Sequence, residues 1–382
     1  MEQGKRNVTI SFETFIKRSW PLLGFGAVLL IGAIIGLSWF AVSGKGRKQT
    51  AEPQTQSATS TAEVATSTGD FVSRALDGVL VTPAEARLQS YAVMVENHTD
   101  ARPLSGPASA NLVFEVPVEG GITRYMLVFD ATTTVDSIGP VRSARAYYVD
   151  LADGLNAVYA HVGGSPEALD NIKKMSGFRD LNEFSNGKYF WRSSKRYAPH
   201  NTYTRTDLLH DAADTKKFKE GHFNGWHYKE DDAMESTTSS VRGTDNGPKI
   251  PYGGSYNASW KYDRASNMYE RHESGELQKD ADGTVVKAKN IVVLDTDGET
   301  YDNYGRLKIR TTGRGKAILY RDGKSHEIVW RRNAGENFRF EGLDGTDAMF
   351  NRGTTWVEVT IDQDVFSAAS PTTTTSSTTS TH

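Results

Sequence analysis

The sequence predicts an α/β first domain with a mixed sheet and flanking helices, a smaller mainly-β second domain, and one N-terminal transmembrane helix. Three observations predict this. An uncharged run of about 26 residues, Ser19 to Gly44, is long enough to cross a bilayer as a helix. Strand-like runs alternate with helical or loop stretches between Tyr91 and His161. After Ile250, short alternating runs are broken by turn residues.

In chain order, residues 1–18 read as a short cytoplasmic N-terminus and 19–44 as the membrane helix. Trp20 and Trp39 lie near its two ends, where indole rings favour the interface. A cleaved signal peptide is the alternative, with Ala41-Val42-Ser43 as a small-x-small site. Lys5, Arg6, Lys17 and Arg18 precede the helix and Lys45, Arg47 and Lys48 follow it, so charge alone orients it weakly. Residues 45–76, mostly Ser, Thr, Ala and Gln, read as a solvated linker that cannot form a core. A short N-terminus inside, with the folded part on the outer face of the cytoplasmic membrane, is the simplest topology.

The α/β domain is assigned to 77–209. Its expected strands are Tyr91–Glu96, Leu112–Val116, Tyr125–Phe129 and Ala157–His161. After His161 comes Gly163-Gly164-Ser165-Pro166, a turn followed by an N-cap serine and a first-turn proline. Ala168, Leu169, Ile172 and Met175 mark a buried helix face, and Gly177 ends it. Residues 210–250 read as a polar connection with a helix starting at Thr206. The β-rich domain is assigned to 251–364, with strands at Asn290–Leu294, Leu307–Thr311, Ala317–Tyr320, Glu327–Arg331 and Thr355–Ile361. Asp282-Gly283, Asp297-Gly298 and Asp322-Gly323 are expected as hairpin turns. The Ser/Thr-rich tail, 365–382, is expected to be disordered.

Composition narrows the function classes. A net charge of −3 provides no global field for nucleic acid. The absence of cysteine excludes disulfides, thiol nucleophiles, thiolate metal sites and a lipidated cysteine. No cofactor and no metal are expected, and no P-loop, His-x-x-x-His or Gly-x-Ser-x-Gly motif is present.

Cations and glycines carry what remains. The helix start at Gly163, Gly164 and Ser165 offers backbone N–H groups to an anion, or is simply a well-capped connection. Arg142 and Arg145 share a face if Ile138–Arg145 opens a helix, with Arg124 upstream; guanidinium forks suit phosphate or carboxylate. The alternative is ion pairing with Asp136, Glu119 or Asp150. A third cluster runs from Trp191 to Arg205 and includes Arg196, His200 and Asn201, where rings and cations suit an anionic, sugar-bearing ligand. His161 is a candidate general base or a satisfied core histidine. Glu119, with Glu115, is a candidate base or metal ligand, or a partner for the arginines.

Five blocks together resemble the YerB-like family of bacterial envelope proteins, which has no assigned function. They are Arg102–Gly106, Val118–Tyr125, Ile138–Arg145, His161–Ala168 and Ala198–Tyr203. Arg352–Val357 is similar to the family's closing motif, so the resemblance spans about 85–362. Many relatives are lipoproteins; here a transmembrane helix would replace the missing cysteine. A weaker likeness runs to the LytR-CpsA-Psr ligases, in which arginines hold a polyprenyl pyrophosphate and aspartates hold magnesium. Ser143 stands where that pattern has an aspartate, which weighs against metal binding and catalysis. Two functions are therefore carried forward. The first is binding of an anionic envelope ligand, polyprenyl-phosphate-linked or a wall glycopolymer, with turnover left open. The second is a non-catalytic scaffold or regulator of cell-wall synthesis or hydrolysis enzymes.

Overall fold

The computed structural model describes residues 70–363, apart from residues 88, 220, 222–223 and 236–239. The expected transmembrane helix, most of the linker and the C-terminal tail lie outside the described residues. Among the described residues no helix is long and apolar enough to cross a membrane.

Twelve strands position everything that follows. They are β1 (Ser90–Glu96), β2 (Leu112–Pro117), β3 (Thr123–Asp130), β4 (Val158–His161), β5 (Asp180–Asn182), β6 (Ala258–Asp263), β7 (Met268–Glu273), β8 (Asn290–Thr296), β9 (Gly313–Arg321), β10 (Lys324–Arg332), β11 (Arg339–Gly342) and β12 (Thr355–Ile361). Ten of them form one mixed sheet in the order β11-β10-β9-β8-β12-β2-β3-β1-β4-β5. The two sequence regions thus share a single sheet. It is joined where β12 runs parallel to β2, with Thr355 opposite Leu112 and Glu358 opposite Glu115. β6 and β7 belong to a second, smaller sheet.

The central strands are buried on both faces, which explains their nearly continuous apolar sequence. Along β1, Ala92 and Met94 enter one core with helix α1 (Ala146–Gly154), while Tyr91, Val93 and Val95 enter the other. Ile172 and Met175, on and just after helix α2 (Pro166–Lys174), pack against the first core. The second core holds Leu209 and Ala212 of helix α4 (Thr206–Lys216), together with Trp260 and Tyr269 of the small sheet. A short helix α3 (Glu183–Asn186) follows β5.

Most expected elements form. Ser165 caps α2 by accepting the Ala168 amide at 3.3 Å, and Gly177 follows it at φ 79°. Asp322-Gly323 turns β9 into β10, with both residues at positive φ, as a tight hairpin demands. Three expectations differ. Gly298 opens a short strand, Gly298–Thr300, that pairs with Leu307–Ile309, so Asp297-Gly298 joins two sheets and is not a hairpin turn. The segment Ile138–Arg145 is extended and not helical. Its amides bond outward, Val141 to the Thr202 carbonyl and Arg142 to that of Met94, so no helical ladder forms before α1. Order also reaches further toward the N-terminus than the linker composition suggests. Val72-Ser73 pairs with Leu80-Val81, and the Arg74 guanidinium bonds the buried carboxylates of Asp77 and Asp130.

Candidate functional site

β1, β2, β4 and β5 run in one direction and β3 runs against them, so one sheet edge collects the ends of four strands and the start of β3. Ligands in open α/β sheets favour that edge. Glu96, Glu119, Arg124, His161 and Asn182 all lie at it or just beyond it, and the extended segment from Ile138 brings Arg142 and Arg145 across it. Much of the predicted set therefore gathers in one place, but its pairing divides it.

The first group is Arg124, Arg145 and Glu119. Arg145 is not helical; it sits just before α1 at φ −130°. Its Nε and Nη2 donate to the two Glu119 oxygens at 2.5 and 2.8 Å, a bidentate fork. Burial opposes charge on both partners, but the pairing prevails, holding the Glu119 carboxyl below its usual range and the Arg145 guanidinium above its own. Arg124 is 7% exposed. Its Nη1 donates to the Ser143 carbonyl at 2.7 Å, and no carboxylate is within ion-pair distance among the described residues. Burial, then the charge of Arg145, lowers its pKa to about 10. Two neighbouring guanidinium groups thus have one nearby carboxylate, and Arg145 holds it.

The second group is Arg142, Glu96 and His200. Glu96 is buried, and its Oε2 accepts from His200 Nδ1 at 2.9 Å and lies 3.4 Å from Arg142 Nε. His98 stacks on His200 with ring centroids 5.0 Å apart. Arg196 donates to the carbonyls of Asp100 and Pro103, at 3.0 and 2.8 Å. Asn201 accepts from Arg192, and its own carbonyl takes the Ser193 amide. Trp191 stacks on Tyr203, whereas Tyr197 is fully exposed.

The helix start and the candidate bases are already committed. Gly163 N–H donates to Asn182 Oδ1, Ser165 N–H to the Ala144 carbonyl, and Pro166 has no N–H. Gly163 and Ser165 therefore spend their N–H groups tying α2 to β5 and to residue 144. His161 is fully buried, with Nδ1 2.6 Å from the Gly163 carbonyl and Nε2 2.7 Å from Asp180 Oδ1. Neither ring nitrogen is left to take a substrate proton, so His161 is a structural residue, and Glu119 is an arginine partner.

Sequence reasoning missed three participants. Glu96 ends a recognised strand and His98 lies two residues beyond it, and that position was the available signal. Arg271 carried none. It is completely buried between the two sheets, 2.5 Å from Glu115, with Glu273 and Glu358 at 3.8 and 3.9 Å. Glu115, read from sequence as a metal ligand, base or arginine partner, thus pairs with an arginine from the far region of the chain.

The class these features define is a two-part sheet protein. An α/β half carries polar loops at its strand-end edge, and a β-rich half completes its sheet. The chain belongs to the family described as protein of unknown function (DUF3048), whose N-terminal domain matches residues 76–219 and whose C-terminal domain matches 249–357. It is 32% identical over 284 residues to the protein named “Putative lipoprotein YerB” of Bacillus subtilis (strain 168), covering 72% of this chain and 82% of that one. The crystal structure of YerB from Bacillus subtilis superposes with a TM-score of 0.67 at 28% identity, covering 75% of this chain and 96% of that one. The chain is therefore YerB-like.

Proposed function

We propose that this protein is held at the outer face of the cytoplasmic membrane and binds an anionic envelope ligand, a polyprenyl-phosphate-linked precursor or a wall glycopolymer. The reading rests on one observation: buried Arg124 and partly buried Arg145 lie close together at the strand-end edge, and the nearby carboxylate, Glu119, is taken by Arg145. An enclosed guanidinium without a counter-ion is costly, and a second anion would relieve it. Glu119 then acts as an internal competitor for the Arg145 fork. It stands on a turn where Gly120 and Gly121 have φ of 75° and 70°, and the space around Gly121 is open. Membrane attachment is supported by the uncharged run at Ser19–Gly44, in a chain without the cysteine a lipid anchor needs. Turnover is not part of the proposal, because His161 and Glu119 are both committed.

The test is binding of polyprenyl pyrophosphate in detergent by the purified protein. Arg124→Gln plus Arg145→Gln should weaken binding at least tenfold, and Glu119→Gln should strengthen it. Equal binding by all three proteins, each shown to be folded by its melting curve, refutes the reading. The second reading, a scaffold or regulator of cell-wall enzymes, is favoured by the pairing of Arg142 with Glu96 and by the exposed ring of Tyr197. Capture of wall synthases or hydrolases after crosslinking would then depend on Tyr197.

A further inference from the structure

His98, Asp100 and His200 each present one ligand atom, and the three atoms lie within 4.8 Å of one another. His98 and Asp100 are two residues apart, and His200 is distant from both in sequence. The short 3-10 turn Thr99–Ala101 after β1 brings His98 and Asp100 together, and the loop before Thr202–Tyr203 delivers His200. The sequence alone gave no reason to expect a metal here, because neither His98 nor Asp100 belongs to a recognisable ligand spacing.

Two further features distinguish this cluster from an ordinary surface group. His200 Nδ1 donates to the buried carboxylate of Glu96. That bond fixes the ring and leaves Nε2 as the nitrogen available to a metal, the arrangement that carboxylates impose on metal-binding histidines. The other Glu96 oxygen, Oε1, is buried and has no hydrogen-bond partner among the described residues. A buried acceptor of this kind is costly unless a donor reaches it, and a metal-bound water would be such a donor.

We propose that His98, Asp100 and His200 form a binding site for a divalent transition-metal ion, with Glu96 as the carboxylate that orients His200. Imidazole nitrogens with one carboxylate oxygen suit Zn2+, Co2+, Ni2+ or Cu2+ and disfavour the all-oxygen ions Mg2+ and Ca2+. Bonds of about 2.0–2.2 Å require the ligand atoms to close to roughly 3–3.5 Å. The Asp100 side chain, 73% exposed, is free to swing inward, while Arg196 holds its backbone carbonyl in place. Three protein ligands leave the remaining positions open, the pattern of sites that exchange water or substrate.

The proposal stands apart from the anion reading, because the metal is titrated without any envelope ligand. The full chain, stripped with EDTA, is titrated with Co2+ and followed by visible absorption and equilibrium dialysis. One equivalent is expected. His98→Ala and His200→Ala should each weaken binding at least tenfold, and Glu96→Gln should weaken it about 10–100-fold. His210→Ala and His227→Ala should bind like the parent, as should Arg124→Gln plus Arg145→Gln, which separates failure here from failure of the anion site. Melting curves of the histidine variants check the fold; both rings are partly exposed, and when His200 is removed the buried Glu96 carboxylate keeps Arg142 as a partner. The proposal is overturned if the His98→Ala plus His200→Ala protein binds Co2+ as tightly as the parent, or if the parent binds none at about 100 μM.

Discussion

Replacing Arg271 with methionine tests the polar core between the sheets. The guanidinium is completely buried and meets Glu115 at 2.5 Å, with Glu273 and Glu358 just beyond. Trp356, Tyr125 and Trp260 lie 5.0, 5.4 and 6.0 Å from it. Methionine keeps much of the volume but removes the charge that three buried carboxylates face. Breaking a buried pair from one side costs about 3–5 kcal/mol, a large share of the roughly 5–15 kcal/mol that holds a typical domain. Burial raises the Glu115 carboxyl to about 8, against the pull of Arg271 and with the help of Glu358. The sign follows: a carboxyl raised on folding contributes fully below its ordinary value near 4.5 and loses that contribution as pH rises through 8. Without Arg271 the carboxyl rises further. The deficit of Arg271→Met should therefore stay nearly constant from pH 5 to pH 7 and be larger at pH 9, by about 1.4 kcal/mol for the one proton that the parent releases in that window and the variant keeps. Urea titrations at pH 6 and pH 9 measure it, and adding Glu115→Gln should recover part of the loss at pH 9. A deficit under about 1 kcal/mol that is unchanged with pH would refute the buried-cluster argument.

Asp322 tests the opposite sign. Burial opposes its charge, but hydrogen bonds from Lys229, Asn267 and Asn351 hold its carboxyl well below the usual range. Asp322→Asn tolerates the positive φ of the turn and should cost about 2–3 kcal/mol near pH 7. Because the folded value is depressed, that deficit should shrink as pH falls below about 4, which urea titrations at pH 3 and pH 7 would show. The first region expressed alone, residues 70–219, should not melt cooperatively. It would expose the β2 edge that pairs with β12 and leave Glu115 without Arg271. A soluble monomer with a single sharp transition would contradict the shared-sheet account.

What was legible in the sequence was local. Thr355–Ile361 could be bounded from alternation and β-branched content because those preferences act within a few residues. Ser165-Pro166 and Asp322-Gly323 could be read because a cap and a tight turn each need particular backbone chemistry. Long-range pairing was not legible. Nothing in Leu112–Pro117 says that its outer neighbour is the last described strand of the chain, and whether Ile138–Arg145 opens a helix is decided by Met94 and Thr202, which claim its amides. The site was half legible for the same reason. Arginines and glycines mark polar loops, but whether a guanidinium meets a ligand or a carboxylate is decided by residues such as Glu96, which the sequence places in a strand and the fold places beside Arg142 and His200.

The two cores of charge are mechanically connected. Glu273 lies 3.8 Å from Arg271 on one side, and on the other its Oε1 accepts from Asn97 at 2.6 Å and pairs with Arg102 at 2.8 Å. Arg102 in turn donates to the Asn97 side chain and carbonyl. Asn97 and Arg102 bracket the turn that carries His98 and Asp100. A carboxylate of the β-rich half thus pins the loop on which the α/β half presents its polar edge. The second region is then more than a sheet extension. Its buried charges hold from beneath a loop that Arg196 holds from the other side, and a loop fixed in this way is what a site with sub-ångström demands requires.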